Sequence, residues 1–417
     1  GMLPDLLRRF LQMAKNKPAV DNTLVRRVLA QIQTHPSDFV GVGRSVIVGV
    51  MMRMAQLHQK LKSRQFREDD RLQKDMKTFE VLEIALVHQV SSLDKRQLTG
   101  VLWALNTLRR QENRELLIGL LKRLPEVARE IETYRLSMAL VAIAKLTRGL
   151  SSRDRIEAAQ AVIARAGEVA VDLKPHRIAT ILTELAVLNE PLSSTPSQPL
   201  LQHAATVAVT FEPRAAATTL RALAKLGWVH SGANEGKGVS RGVDAAQTLY
   251  ENLIENLQVS VLNGAEASAV AWASGKTRVR MTPAMSAELA KRAVETCEEM
   301  SAREASSALW GLTVVGIRSH TALFNRMSRD IRMGGFTNVQ ALSNFLWVCA
   351  SSSLCPCRHA SQSLFAETYL RAGDARASRG PRCGSDPCSA GTIGGDEKTA
   401  RFGGCLELPM VCKCSEP

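Results

Sequence analysis

The residue strings that could carry out catalysis are few, and each lacks a part that its chemistry requires. Ser274-Gly275-Lys276-Thr277 ends like the loop that wraps a nucleotide's phosphates. That loop needs a first glycine at position 270, where this chain has Val270, and a strand leading into it. Gly41-Val42-Gly43 lacks the third glycine of a dinucleotide-binding turn and reads as a loop. The 8 histidines are scattered, with no H-E-x-x-H and no other metal spacing. No G-x-S-x-G elbow and no protein-kinase signature occurs. The sequence therefore predicts a non-catalytic protein without cofactor or metal.

Of 9 cysteines, only Cys297 and Cys349 precede residue 350. A body so poor in cysteine fits a reducing interior and not a disulfide-built scaffold. The others (Cys355, Cys357, Cys383, Cys388, Cys405, Cys412, Cys414) lie among Gly, Ser and Pro, and only Cys383/Cys388 approach the knuckle spacing of a zinc site. Residues 351–417 are expected to be a low-complexity, mostly disordered tail.

The chemistry that does recur is cationic. An arginine stands six to eight residues ahead of the centre of successive apolar segments: Arg44, Arg96, Arg135, Arg177, Arg214 and Arg303. At a helix N-terminus a cation opposes the helix dipole, so helix stability does not explain the recurrence. An arginine row can pair bidentately with phosphates or stack on bases, or can form salt bridges to acids of the adjacent unit. A second set, Arg109, Arg110, Arg148, Lys276, Arg278 and Arg318, follows the same segments, where a helix C-terminus would favour a cation with or without a ligand.

The elements that position these cations form a repeat. Segments such as Gln97 to Leu108, Arg135 to Leu146, Arg177 to Leu188, Ala215 to Leu226 and Glu304 to Val315 share one apolar pattern, with a poorer copy at Val46 to Leu57. Their central residue falls at Met52, Trp103, Val141, Thr183, Arg221, Trp272, Trp310 and Trp347, so most steps span 37 to 42 residues and two span 51. The long steps coincide with a charged insertion (residues 60–77) and a Gly-rich one (residues 231–242). Each segment is followed by a second amphipathic one, for example Arg114 to Leu124, Arg153 to Ala166, Asp244 to Leu257 and Pro283 to Met300. A period of about 38 residues with two helices per unit predicts an all-α solenoid of about eight helical hairpins over residues 44–350. The tryptophans at one repeat position are expected chiefly to wedge between units. Residues 1–43 read as a helical cap or a targeting-derived segment, because Leu6 to Lys17 is basic and amphipathic.

The chain has 417 residues and a formal charge of +14, from 54 Lys and Arg against 40 Asp and Glu. This excess favours polyanionic partners. No window approaches the ~18 consecutive apolar residues of a membrane span.

Leu102-Trp103-Ala104-Leu105, Leu220-Arg221-Ala222-Leu223-Ala224-Lys225-Leu226-Gly227 and Ala308-Leu309-Trp310-Gly311-Leu312 resemble the L-W-A-L-A-K-L-G helix of octotricopeptide and heptatricopeptide repeats. These repeats occur in organellar RNA-binding proteins of algae and apicomplexan parasites, often with a C-terminal RAP domain, and FASTK-like mitochondrial proteins are similar. The resemblance covers about residues 40 to 350, and no RAP-like segment is recognisable in the tail. It implies single-stranded RNA binding, with ribosomal RNA and the subunits of an organellar ribonucleoprotein among the partners. It also implies roles in RNA stability, processing, translation or ribosome assembly, in a mitochondrion or alternatively a plastid. The competing expectation is a protein-binding scaffold of the armadillo or HEAT kind. Such a scaffold would repeat an asparagine on the inner helix, whereas Asn106 and Asn344 occupy different repeat positions.

Overall fold

The computed structural model describes residues 43–62, 79–188, 195–229, 242–279, 281–317, 321–332 and 339–351. The segment before Gly43, the two insertions between residues 63 and 78 and between 230 and 241, Arg318 and the tail beyond Ser351 lie outside the described residues. Every regular element among the described residues is helical.

The helices alternate between two rows. The first row holds α1 (Arg44–Lys62), α3 (Lys95–Leu108), α5 (Thr133–Leu146), α7 (Pro175–Leu188), α9 (Pro213–Leu226), α11 (Gly264–Thr277), α13 (Ala302–Val314) and α15 (Val339–Ser351). The second row holds α2 (residues 79–87), α4 (Arg114–Val127), α6 (Ser152–Glu168), α8 (Gln198–Thr206), α10 (Gly242–Glu255), α12 (Pro283–Glu295) and α14 (Thr321–Arg332). Each first-row helix packs on the next first-row helix, as the expected α-solenoid requires. The poor copy near Met52 is a full helix, and the second helix of the Pro283 unit stops at Glu295, short of the expected Met300.

First-row helices are buried on most of their surface because they lie between two neighbours and their own hairpin partner. In α5, Leu136, Ala139, Leu140, Ala142, Ile143 and Leu146 are all buried. Capping sets several starts: Asp94 with Gln97, Asn263 with Glu266 and Ser301 with Glu304 each form reciprocal capping boxes.

A short linker recurs between hairpins. Most second-row helices end near a single 3-10 turn, and one buried apolar residue then turns extended: Leu93, Ile131, Leu173, Phe211, Leu262 or Met300. At three of these linkers the carbonyl of the extended residue accepts from an arginine of the following second-row helix. Arg123 Nε donates to Leu93 O at 3.3 Å and Arg292 Nε to Leu262 O at 2.5 Å, while Arg326 donates to Met300 O. Part of the basic excess is thus architectural.

First-row helices approach most closely at α11 and α13. A β-carbon on Gly275 would stand 2.8 Å from the Gly311 Cα, and one on Gly311 would fall on the Ala271 carbonyl. The phosphate-loop-like string is therefore the last turns of α11, where Gly275 serves helix packing and Thr277 Oγ1 lies 3.2 Å from the buried Tyr250 hydroxyl.

Candidate nucleic-acid interface

Counting from the central residue of each first-row helix as zero, positions −7, −3, 0 and +4 lie within about 60° of one another around the axis. They form one stripe, and in the helices from α3 to α15 it is the side least covered by neighbours. Position 0 carries Trp103, Val141, Thr183, Arg221, Trp272, Trp310 and Trp347, each at least partly exposed. Position −7 carries Arg96, Tyr134, His176, Arg214, Ala265, Arg303 and Gln340, all at least partly exposed. Position +4 adds Lys145, Lys225 and Lys276, also at least partly exposed. Position −3 is filled by uncharged residues. Not one of these stripe positions carries a carboxylate, although the chain has 40 of them.

The six arginines ahead of the centres do not form a single row, because one residue of offset turns a side chain by about 100°. Arg96, Arg214 and Arg303, at −7, stand on the stripe. Arg44, at −8, is the exposed first residue of α1. Arg135 and Arg177, at −6, point into the crevice towards the preceding first-row helix. There Arg135 Nη1 donates to Thr99 Oγ1 at 3.1 Å and Arg177 Nη1 to Ser137 Oγ at 3.2 Å. Both acceptors are buried hydroxyls at position −4. The same crevice is bridged at α1/α3 by Gln97 Nε2 to Ser45 Oγ (2.8 Å) and at α11/α13 by Ser268 Oγ to Glu304 O (2.7 Å). Arg135 also pairs with Glu132 at 3.1 Å and lies 5.0 Å from the Tyr134 ring centroid. Arg96 reaches the same Glu132 at 2.8 Å from an exposed position, which lowers the Glu132 carboxyl pKa and raises that of the guanidinium.

Of the second cationic set, Arg109 and Arg278 cap α3 and α11 in the left-handed conformation (φ 56° for both), with side chains open to solvent. Arg148 is exposed just after α5. Arg110 instead forms a two-pronged pair with Glu83 on α2, at 3.0 and 3.3 Å. Glu83 is 1% exposed, and burial raises its pKa while Arg110 opposes the rise.

The tryptophans combine a wedge with an open edge. Trp103, Trp272 and Trp310 pack partly against the core, and Trp347, exposed, lies 6.3 Å from Trp310 between ring centroids. The Arg221 guanidinium carbon sits 5.3 Å from the Trp272 ring centroid. The row from α9 to α15 thus presents a guanidinium and three indoles in succession. Glu184, at +1, is turned away from the stripe and 8% exposed, and its Oε2 has no hydrogen-bond partner among the described residues. Burial raises its pKa, against Lys145 and Arg148.

No group of three His, Cys, Asp or Glu placed to hold a metal ion occurs among the described residues. None of the described helices is long and apolar enough to cross a membrane. The chain matches no protein-family profile and no curated protein.

Proposed function

We propose that the solenoid binds single-stranded RNA along this stripe and does so without catalysis. The observation that supports the reading is the carboxylate-free stripe, on which seven cations (Arg96, Lys145, Arg214, Arg221, Lys225, Lys276, Arg303) alternate with Tyr134 and the indoles of Trp103, Trp272, Trp310 and Trp347. Cations along a groove track a phosphate backbone, and rings between them stack unpaired bases whatever their sequence. A duplex hides its base faces and could use only the cations. The resemblance to octotricopeptide and heptatricopeptide repeats favours the same ligand and an organellar setting, mitochondrial before plastid, in RNA stability, processing, translation or ribosome assembly.

The test is binding of the full chain to single-stranded RNA, duplex RNA and single-stranded DNA across a salt series. Seven neutralised phosphates at about 0.7 each give a slope of log affinity on log salt near −5 for a single strand. Preference for single strands with a slope of that order supports the reading. Equal, weak binding to all three nucleic acids sinks it and returns the competing scaffold function, with a protein on the stripe.

A further inference from the structure

One place on the stripe differs from the rest. Arg221 stands at the central position that Trp103, Trp272 and Trp310 occupy in other units, and its guanidinium lies over Trp272. With Ser301, Arg303, Glu304 and Ser307 it lines a cavity of about 360 Å³ beside the start of α13. Lys225 follows Arg221 by one helical turn. Burial, then Arg221 and Arg303, push the Lys225 ammonium below its ordinary pKa, and burial and Arg303 do the same to Arg221. The three cations are close enough to repel one another, and among the described residues none of their side chains has a hydrogen-bond or ion-pair partner. Glu304 also lines this cavity and offsets part of the charge on Arg221, while its Oε2 accepts from Ser301 N and from Ser301 Oγ, both at 2.8 Å. Three cations against one carboxylate leave a net positive charge that favours an anion.

We propose that Arg221, Lys225 and Arg303 form a phosphate subsite, in which the planar fork of Arg221, over the Trp272 ring, takes two oxygens of one phosphate. Partial burial beside the indole restricts the Arg221 side chain before the ligand arrives, so less freedom is lost on binding than for an exposed arginine. That the phosphate belongs to an RNA strand rests on the function proposed above; the anion site itself does not.

The test uses the full chain, tryptophan fluorescence, and two probes, inorganic pyrophosphate and a twelve-residue oligouridylate. Wild type is compared with Arg221→Lys, the Arg221→Gln/Arg303→Gln pair and, as a control off the stripe, Arg129→Gln at an exposed position, with melting temperatures confirming that each folds. Saturable pyrophosphate binding is expected, about tenfold weaker in Arg221→Lys, lost in the double variant and unchanged in Arg129→Gln. Oligouridylate binding should weaken in Arg221→Lys and more in the double variant, and stay unchanged in Arg129→Gln. Absent pyrophosphate binding, or binding indifferent to Arg221 and Arg303, overturns the subsite even where oligouridylate still binds. Pyrophosphate binding that depends on Arg221 in a protein that ignores oligouridylate upholds the subsite and refutes the RNA reading instead.

Discussion

Arginines one residue apart in register should do different work, and two variants of similar composition separate them. In Arg135→Gln/Arg177→Gln the effect is structural. Arg135, with 15% of its side chain exposed, gives up the Thr99 hydrogen bond, the Glu132 pair and its place beside the Tyr134 ring. A hydrogen bond from a charged donor is worth about 1.5 kcal/mol. The part-exposed ion pair contributes a few tenths, about 0.3 kcal/mol, and the cation over the ring about 0.5 kcal/mol. Arg177 gives up its bond to the buried Ser137 hydroxyl, about 1.5 kcal/mol more. The sum, about 4 kcal/mol, corresponds to a fall of roughly 8 °C in melting temperature at about 2 °C per kcal/mol for a chain this long. The salt dependence of oligouridylate binding, measured well below the melting range, should not change. In Arg96→Gln/Arg214→Gln/Arg303→Gln, by contrast, the side chains stand at the surface. Among the described residues, that variant breaks only the exposed ion pair of Arg96 with Glu132. Melting should hardly move, while the salt slope should flatten by about 2, from three phosphates at about 0.7 each. Calorimetry and fluorescence anisotropy read the two quantities. A flattened slope in the Arg135/Arg177 variant with unchanged melting would refute the division of the arginines.

Further perturbations probe the frame. Gly311→Ala places a methyl group on the Ala271 carbonyl, forces α11 and α13 apart, and should cost about 3 kcal/mol in urea melts, whereas Gly316→Ala, with open space around it, should act only through its left-handed φ of 85°. Arg110→Leu leaves the Glu83 carboxylate buried and unpaired and should cost about 3 kcal/mol at pH 7. Since burial raises the pKa of Glu83, protonation relieves the unpaired charge, and the loss should shrink as the pH falls from neutral through the raised native pKa. Glu184→Gln should raise stability by about 1 kcal/mol at neutral pH. The native pKa of Glu184 lies above the unfolded value, so its favourable contribution is present in acid and lost as pH rises through the native pKa; the gain in Glu184→Gln should therefore disappear near about pH 4. Trp272→Ala should weaken oligouridylate binding by about tenfold through lost stacking, with the salt slope preserved.

The period, the two helices per unit and the first-row segments were legible because apolar side chains recur at helical spacing and at one chain interval. The linker was legible in principle, since a small apolar residue, two variable ones, a large apolar one and a polar residue recur in Ala170-Val171-Asp172-Leu173-Lys174 and Val259-Ser260-Val261-Leu262-Asn263. The fate of each arginine was not. Arg135 and Arg96 look alike as residues ahead of an apolar run, and what divides them is about 100° of rotation relative to a helix some 36 residues away. Arg123 and Arg292 carry no mark that their partners are the carbonyls of Leu93 and Leu262, because a backbone acceptor has no side-chain signature. The left-handed caps at Arg109 and Arg278 fall where no glycine announces them. At Arg221 the repeat pattern registers a missing aromatic; that the guanidinium lies on the next unit's indole follows only from the packing of α9 on α11.

The measurement that bears most directly on the central claim is ultraviolet cross-linking of the full chain to a 4-thiouridine-containing single-stranded RNA, with the attached peptides identified by mass spectrometry. The stripe predicts attachment within α3, α11, α13 and α15, at peptides carrying Trp103, Trp272, Trp310 or Trp347, competed away by unlabelled single strand and not by duplex. Attachment confined to the second-row helices α4, α6 and α12, or none above that of an unrelated basic protein, would contradict it.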